Sequence, residues 1–240
     1  MGANSSIEWT DATWNPIIGC TKVSQGCKFC YAETLAERFR GVPGHPFEHG
    51  FDLRLVPSKL EEPLHWEKPR KVFTCSMSDL FHEDIPADYI RKVFEVMELA
   101  NKHTFQVLTK RSSRLIELMN QLPWPKNVWM GVSIENQDAI FRARDLAKVP
   151  ASIRFLSVEP LIGPIKRLPL KKIDWVIVGG ESGIKARPMD PEWARSIRDE
   201  CDKKNVAFFF KQLGGRRGKR SGDQAILDGR TWHQYPVSIG

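Results

Sequence analysis

Long apolar runs are missing from this 240-residue chain: none approaches the roughly 18 residues that a membrane-spanning helix needs. No membrane association is expected. The opening MGANSSIEWTDATWN has no basic n-region and no apolar h-region, which predicts no secretory signal and a cytoplasmic location. Cysteine is scarce and odd in number, at five residues, which excludes a disulfide framework as the organising device. Internal repeats and low-complexity tracts are absent. At 41% hydrophobic and 27% charged, the composition is that of a globular protein rather than a disordered one. The length suits one α/β domain or a small barrel with a substantial core.

An acidic excess is lacking too. The formal charge is +7, and it is concentrated: residues 161–220 hold 15 Lys/Arg against 7 Asp/Glu, so the remainder is nearly neutral. The densest stretch is GGRRGKR, Gly214 to Arg220. Such a strip suits nucleic acid or an anionic substrate, or is a solvated loop. On the first reading Lys211, Arg216, Arg217, Lys219 and Arg220 are phosphate contacts.

What is present is a rhythm of short β-branched and aromatic runs ending in polar tips. The predicted strands are 14–20, 71–76, 104–110, 128–135, 153–159, 174–180 and 206–212. Most are near-continuous apolar runs, as parallel strands covered on both faces require. Helices are predicted over 31–40, 87–100, 113–122, 137–147 and 191–205, the last with Asp190 as N-cap and Pro191 at its first position. The alternation predicts βα units forming a partial parallel (β/α) barrel of six or seven strands over residues 1–212. The Pro-, Gly- and His-rich segment 41–70 is an inserted loop, and 213–240 a basic Gly-rich loop and tail. A flat doubly wound sheet is the structural alternative. Polar tips at Cys20, Cys75-Ser76, Lys110, Ser133, Glu135, Glu159, Glu181 and Lys211-Gln212 place the candidate site at the carboxyl ends of the strands.

Three of the five cysteines fall within eleven residues, Cys20, Cys27 and Cys30, spaced C-x6-C-x2-C between a strand and a helix. Phe29 directly precedes the third. Clustered thiols suggest metal or cluster ligation, and three thiolates on a 4Fe–4S cluster leave one iron open. The alternatives are a zinc site, since His45-x3-His49 follows Cys27-x2-Cys30 at a Cys2His2 spacing, and plain buried cysteines.

The segment Cys27-Lys28-Phe29-Cys30-Tyr31-Ala32 resembles the radical S-adenosylmethionine superfamily, although six residues separate the first two cysteines where the family's usual gap is three. The whole chain also looks like a phage-associated three-cysteine family, which supplies no activity, and CKFCYA with the LTK strand tip is faintly similar to the spore photoproduct lyases. The superfamily resemblance implies a radical-SAM-like barrel with the cluster on Cys20, Cys27 and Cys30. It implies S-adenosylmethionine on the open iron and an electron donor. It further implies a 5′-deoxyadenosyl radical that modifies or repairs a substrate, here a nucleic acid or nucleotide. By the same resemblance, Ser76 and Asp79 contact the cofactor amino group, while Ser133 and Glu135 lie near its ribose or carboxylate. Lys110 pairs with the carboxylate or a substrate phosphate. The loop carrying Glu181 wraps a nucleotide, Phe29 shields the cluster or faces the adenine, and Cys75 is a candidate hydrogen donor. A non-catalytic, zinc-containing nucleic-acid-binding module is the rival function.

Overall fold

The computed structural model describes residues 5–215 and 225–237. Seven strands form one sheet: β1 (Ala12–Trp14), β4 (Lys71–Thr74), β5 (Thr104–Thr109), β6 (Val128–Ser133), β7 (Ile153–Val158), β8 (Trp175–Gly179) and β9 (Ala207–Gln212), in the order β1-β4-β5-β6-β7-β8-β9. Two further short strands, β2 (Ile17–Ile18) and β3 (Arg54–Leu55), pair antiparallel. The chain divides into two compact units.

The first unit comprises Met1–Val23, Cys30–Met130 and Val149–Ser152. Here β1 pairs parallel with β4, and β4 with β5. Helix α1 (Tyr31–Glu37) follows the third clustered cysteine, α2 (Ala87–Leu99) joins β4 to β5, and α3 (Ser112–Leu118) follows β5. The amphipathic α2 buries Ile90, Val93, Phe94 and Met97, the spacing of one helix face.

The second unit comprises Ser24–Phe29, Gly131–Lys148 and Ile153–Gly240. Its strands β7, β8 and β9 are parallel neighbours, and the Ile134 amide donates to the Ser157 carbonyl at 2.9 Å. Every residue of β8 is buried, as are all but Arg154 of β7. Burial on both faces is why these strands read as continuous apolar runs rather than alternating ones. Helix α4 (Phe141–Leu146) follows β6, and α5 (Pro191–Lys204) precedes β9. The Asp190 carboxylate accepts from the Glu192 amide at the start of α5, and Asn205 ends it in the left-handed region at φ 52°.

Several predicted boundaries shift, each for a local reason. The run 14–20 is not one strand. Pro16 has no amide to donate, and Asn15 turns its side chain to the β4 tip. The parallel strand therefore ends at Trp14, and Ile17–Ile18 pairs with β3 inside the predicted loop 41–70. Strand β4 stops at Thr74 because Cys75 adopts φ 61°. The tail is also more ordered than expected. It forms a hairpin, β10 (Ile226–Leu227) with β11 (Arg230–Thr231), and then lies along β9. The Phe210 amide donates to the Trp232 carbonyl at 2.7 Å, and Gln234 to Phe208 at 3.1 Å. This covers the edge of the last strand.

Candidate functional site

In the first unit the polar residues gather at the carboxyl ends of β1, β4 and β5. Gly19 (φ 88°) turns the chain into the cysteine loop, where a Cβ would lie 2.2 Å from the Asp52 carbonyl oxygen. Asp79 is buried and accepts from four donors: the Phe81 amide at 3.0 Å, Thr109 Oγ1 at 2.7 Å, the Lys110 amide at 3.0 Å and Arg111 Nη1 at 3.5 Å. It ties the β4 tip to the β5 tip rather than reaching outward. Ser76 Oγ donates to Asn15 Oδ1 at 3.2 Å, and its carbonyl accepts from the Tyr31 hydroxyl at 2.7 Å. The Lys110 ammonium has no protein partner among the described residues.

Arg111 was not singled out by the sequence. It is buried, and its guanidinium reaches Glu83 Oε2 at 2.7 Å, Thr21 Oγ1 at 2.8 Å, the Thr21 carbonyl at 3.1 Å and Cys20 Sγ at 3.5 Å. Burial works against its charge, but Asp79 and Glu83 outweigh this and hold its pKa above the usual arginine value. A fixed cation beside Cys20 suits a thiolate there. Cys75 lies inside the protein: burial pushes its thiol up to about 12, so it is a protonated thiol at neutral pH.

His82 is also buried in this cluster. Its Nδ1 accepts from the Asp84 amide at 3.2 Å, which assigns the proton to Nε2, and Nε2 donates to Thr21 Oγ1 at 2.8 Å. Burial, then Arg111, lowers its pKa, and burial likewise lowers that of His103. Because the folded chain disfavours both imidazolium ions, the unfolded chain binds more protons. Stability is therefore full above the ordinary histidine value of 6.5 and lost as pH falls through it toward the lower folded values. The unfolding free energy from urea titration should drop between pH 7.5 and 5.5, by at most about 1.4 kcal/mol per pH unit per histidine. His82→Gln with His103→Gln should flatten that slope; an unchanged slope would contradict this assignment.

In the second unit the cysteine-loop segment Ser24–Phe29 is held by residues that follow β6 and β8. Glu135 is buried and bonded to Arg142 Nη1 at 2.8 Å, and Ser24 Oγ donates to its other oxygen. Ser133 is buried, and its carbonyl accepts from the same Arg142 nitrogen at 2.8 Å. Glu181 forms a two-oxygen ion pair with Arg187, whose Nη2 also donates to the Gln25 carbonyl at 3.0 Å. Burial pushes the Glu181 carboxyl up, but the Arg187 hydrogen bonds prevail and leave it below the usual range. The Arg187 guanidinium lies 5.5 Å from the centroid of Phe29, whose ring also carries the Lys28 ammonium at 5.3 Å. Lys211 is committed to Glu159 at 2.9 Å. Arg216, Arg217, Lys219 and Arg220 lie outside the described residues.

Cys20, Cys27 and Cys30 are partly exposed, and none is in a disulfide among the described residues. Cys27 Sγ lies 3.7 Å from Ser24 Oγ. Three accessible thiols on one short loop, one of them beside the Arg111 guanidinium, fit the donor set of a cluster with three protein ligands. Among the described residues no three His, Cys, Asp or Glu side chains are grouped to hold a single metal ion. A cluster does not require that grouping, because its thiolates bind separate irons. The zinc alternative does. His45 instead stacks on Phe39 with centroids 3.9 Å apart, and its Nδ1 accepts from the Phe47 amide at 3.1 Å.

The fold is a parallel α/β half-barrel, an architecture shared with solved structures of spore photoproduct lyase. Residues 4–236 match the family described as Protein of unknown function (DUF5131), and the chain belongs to that family. Three structures of spore photoproduct lyase share the architecture. A mutant with bound AdoMet and dinucleoside spore photoproduct is 11% identical, with TM-score 0.53 over 93% of this chain and 62% of that one. The enzyme complexed with the dinucleoside spore photoproduct is 12% identical, with TM-score 0.51 over 85% and 64%. A further mutant is 13% identical, with TM-score 0.52 over 93% and 62%. The chain thus spans less than two thirds of the length of these lyases. No curated protein matches the sequence. Among the described residues no helix is long and apolar enough to cross a membrane.

Proposed function

We propose that the protein is a radical S-adenosylmethionine enzyme that acts on a nucleic acid or nucleotide. The observation that carries the reading is the set of three partly exposed thiols, Cys20, Cys27 and Cys30, in one loop on a half-barrel shared with spore photoproduct lyase. Those cysteines would hold a 4Fe–4S cluster, with S-adenosylmethionine beside it. Together these groups supply one-electron chemistry that protein side chains cannot provide. The chain's own part is to orient and to shield. Arg111 sets a cation against Cys20, and Lys110 offers an uncommitted ammonium for a carboxylate or phosphate. Asn15 and Asp79 fix the β4 tip that carries Ser76. Two of the lyase structures hold a dinucleoside, and residues 161–220 of this chain carry the basic surplus; both favour a nucleotide-containing substrate.

The test is reductive cleavage. After anaerobic reconstitution, addition of dithionite and S-adenosylmethionine should yield methionine and 5′-deoxyadenosine, and Cys20→Ala should abolish both products. A reconstituted chain that leaves S-adenosylmethionine intact under reducing conditions would overturn the reading.

A further inference from the structure

Glu135 occupies a strand-tip position where a cofactor contact was expected, yet both its carboxylate oxygens are engaged inside the second unit. One accepts from Arg142 Nη1 at 2.8 Å, the other from Ser24 Oγ. We infer that Glu135 is a positioning residue for the cysteine loop: anchored by Arg142, it fixes Ser24–Cys27 in place before any metal is bound.

Three observations converge. The ion pair is closed to solvent, with side chains 2% and 5% exposed, so Glu135 has little freedom to swing toward a ligand. A carboxylate only accepts, so the Ser24 hydroxyl proton points to Glu135, and the same hydroxyl oxygen lies 3.7 Å from Cys27 Sγ. The run Arg142–Glu135–Ser24–Cys27 is therefore continuous. Finally, the backbone of the loop rests on the same side chain. A Cβ at Gly26 would come within 2.3 Å of Glu135 Cγ and 2.7 Å of Oε1, so only glycine lets the chain approach so closely. Within the loop the Cys27 amide donates to the Ser24 carbonyl at 3.0 Å, so holding Ser24 holds the Cys27 backbone. The Glu181–Arg187 pair, through the Gln25 carbonyl, is a second and separate hold.

The part of this inference that concerns iron rests on the reading of Cys27 as a cluster ligand; the part that concerns loop order does not. The full metal-free chain is compared by hydrogen–deuterium exchange across residues 24–29 as wild type, Glu135→Gln, Ser24→Ala and Ser24→Thr. Each is then reconstituted anaerobically with iron and sulfide, and the reduced sample is examined by electron paramagnetic resonance. Glu135→Gln and Ser24→Ala should speed exchange of the 25–28 amides several-fold, lower iron incorporation and broaden the cluster signal. Ser24→Thr, which keeps the hydroxyl, should restore all three. Ser24→Ala leaves the Glu135–Arg142 pair intact, so the test survives if Glu135→Gln folds poorly. Wild-type exchange and iron content in Ser24→Ala and Glu135→Gln, with weakened S-adenosylmethionine binding in Glu135→Gln alone, would make Glu135 a ligand contact and overturn the inference. Faster exchange in a chain whose wild type takes up no iron would uphold the loop hold and refute the enzyme reading instead.

Discussion

Arg142→Met should destabilise the protein by about 3–5 kcal/mol, the characteristic loss when one partner of a buried ion pair is removed. Arg142 and Glu135 are almost wholly buried, and the pair is closed at 2.8 Å. Removing the guanidinium strands the Glu135 carboxylate in a dry environment where, among the described residues, the Ser24 hydroxyl is its one remaining donor. The magnitude comes from that uncompensated charge more than from the lost attraction. Glu135→Gln combined with Arg142→Met should therefore recover much of the loss, which a double-mutant cycle on urea unfolding would measure. By contrast Arg114→Met, which removes a surface pair with Glu117, should stay within about 1 kcal/mol. Similar losses for the two single variants would contradict the account of the buried pair.

Replacing Cys20, Cys27 and Cys30 together by alanine should abolish iron binding while leaving the fold intact. All three are partly exposed, so alanine leaves no large cavity and the unfolding midpoint should shift little. The remaining thiols cannot substitute. Cys75 and Cys201 are buried, with their thiols held up to about 12, and a thiol must lose its proton to bind metal. Iron analysis and circular dichroism on the same sample separate the two claims. Iron retained by the triple variant would remove these cysteines from the site; collapse of the fold would make them structural.

Much of the fold was legible in the sequence because burial writes itself into composition. The apolar runs of β7 and β8 and the Asp190-Pro191 start of α5 depend on local chemistry and were read directly. The limits of β1 and β4 were not. They depend on what Asn15 and Cys75 do in three dimensions: one side chain leaves its strand to cap a neighbour's tip, and one residue enters the left-handed region. The candidate site divides the same way. Cysteine spacing is a property of the chain, so the three thiols stood out. Arg111, Arg142 and Arg187 did not, because their meaning lies in partners brought close by folding. Arg142 sits among ordinary charged residues in FRARDL, and nothing there signals that it is buried against Glu135. Asp79 was visible as a polar residue at a strand tip. Only its four donors reveal that it ties two strand tips together.

The central claim is that Cys20, Cys27 and Cys30 hold an iron–sulfur cluster, and the most direct measurement is the absorption spectrum and metal content of the anaerobically purified chain. The account predicts a brown protein with broad absorption near 400 nm and about four irons and four sulfides per chain. A colourless protein that carries stoichiometric zinc and takes up no iron or sulfide on reconstitution would contradict it.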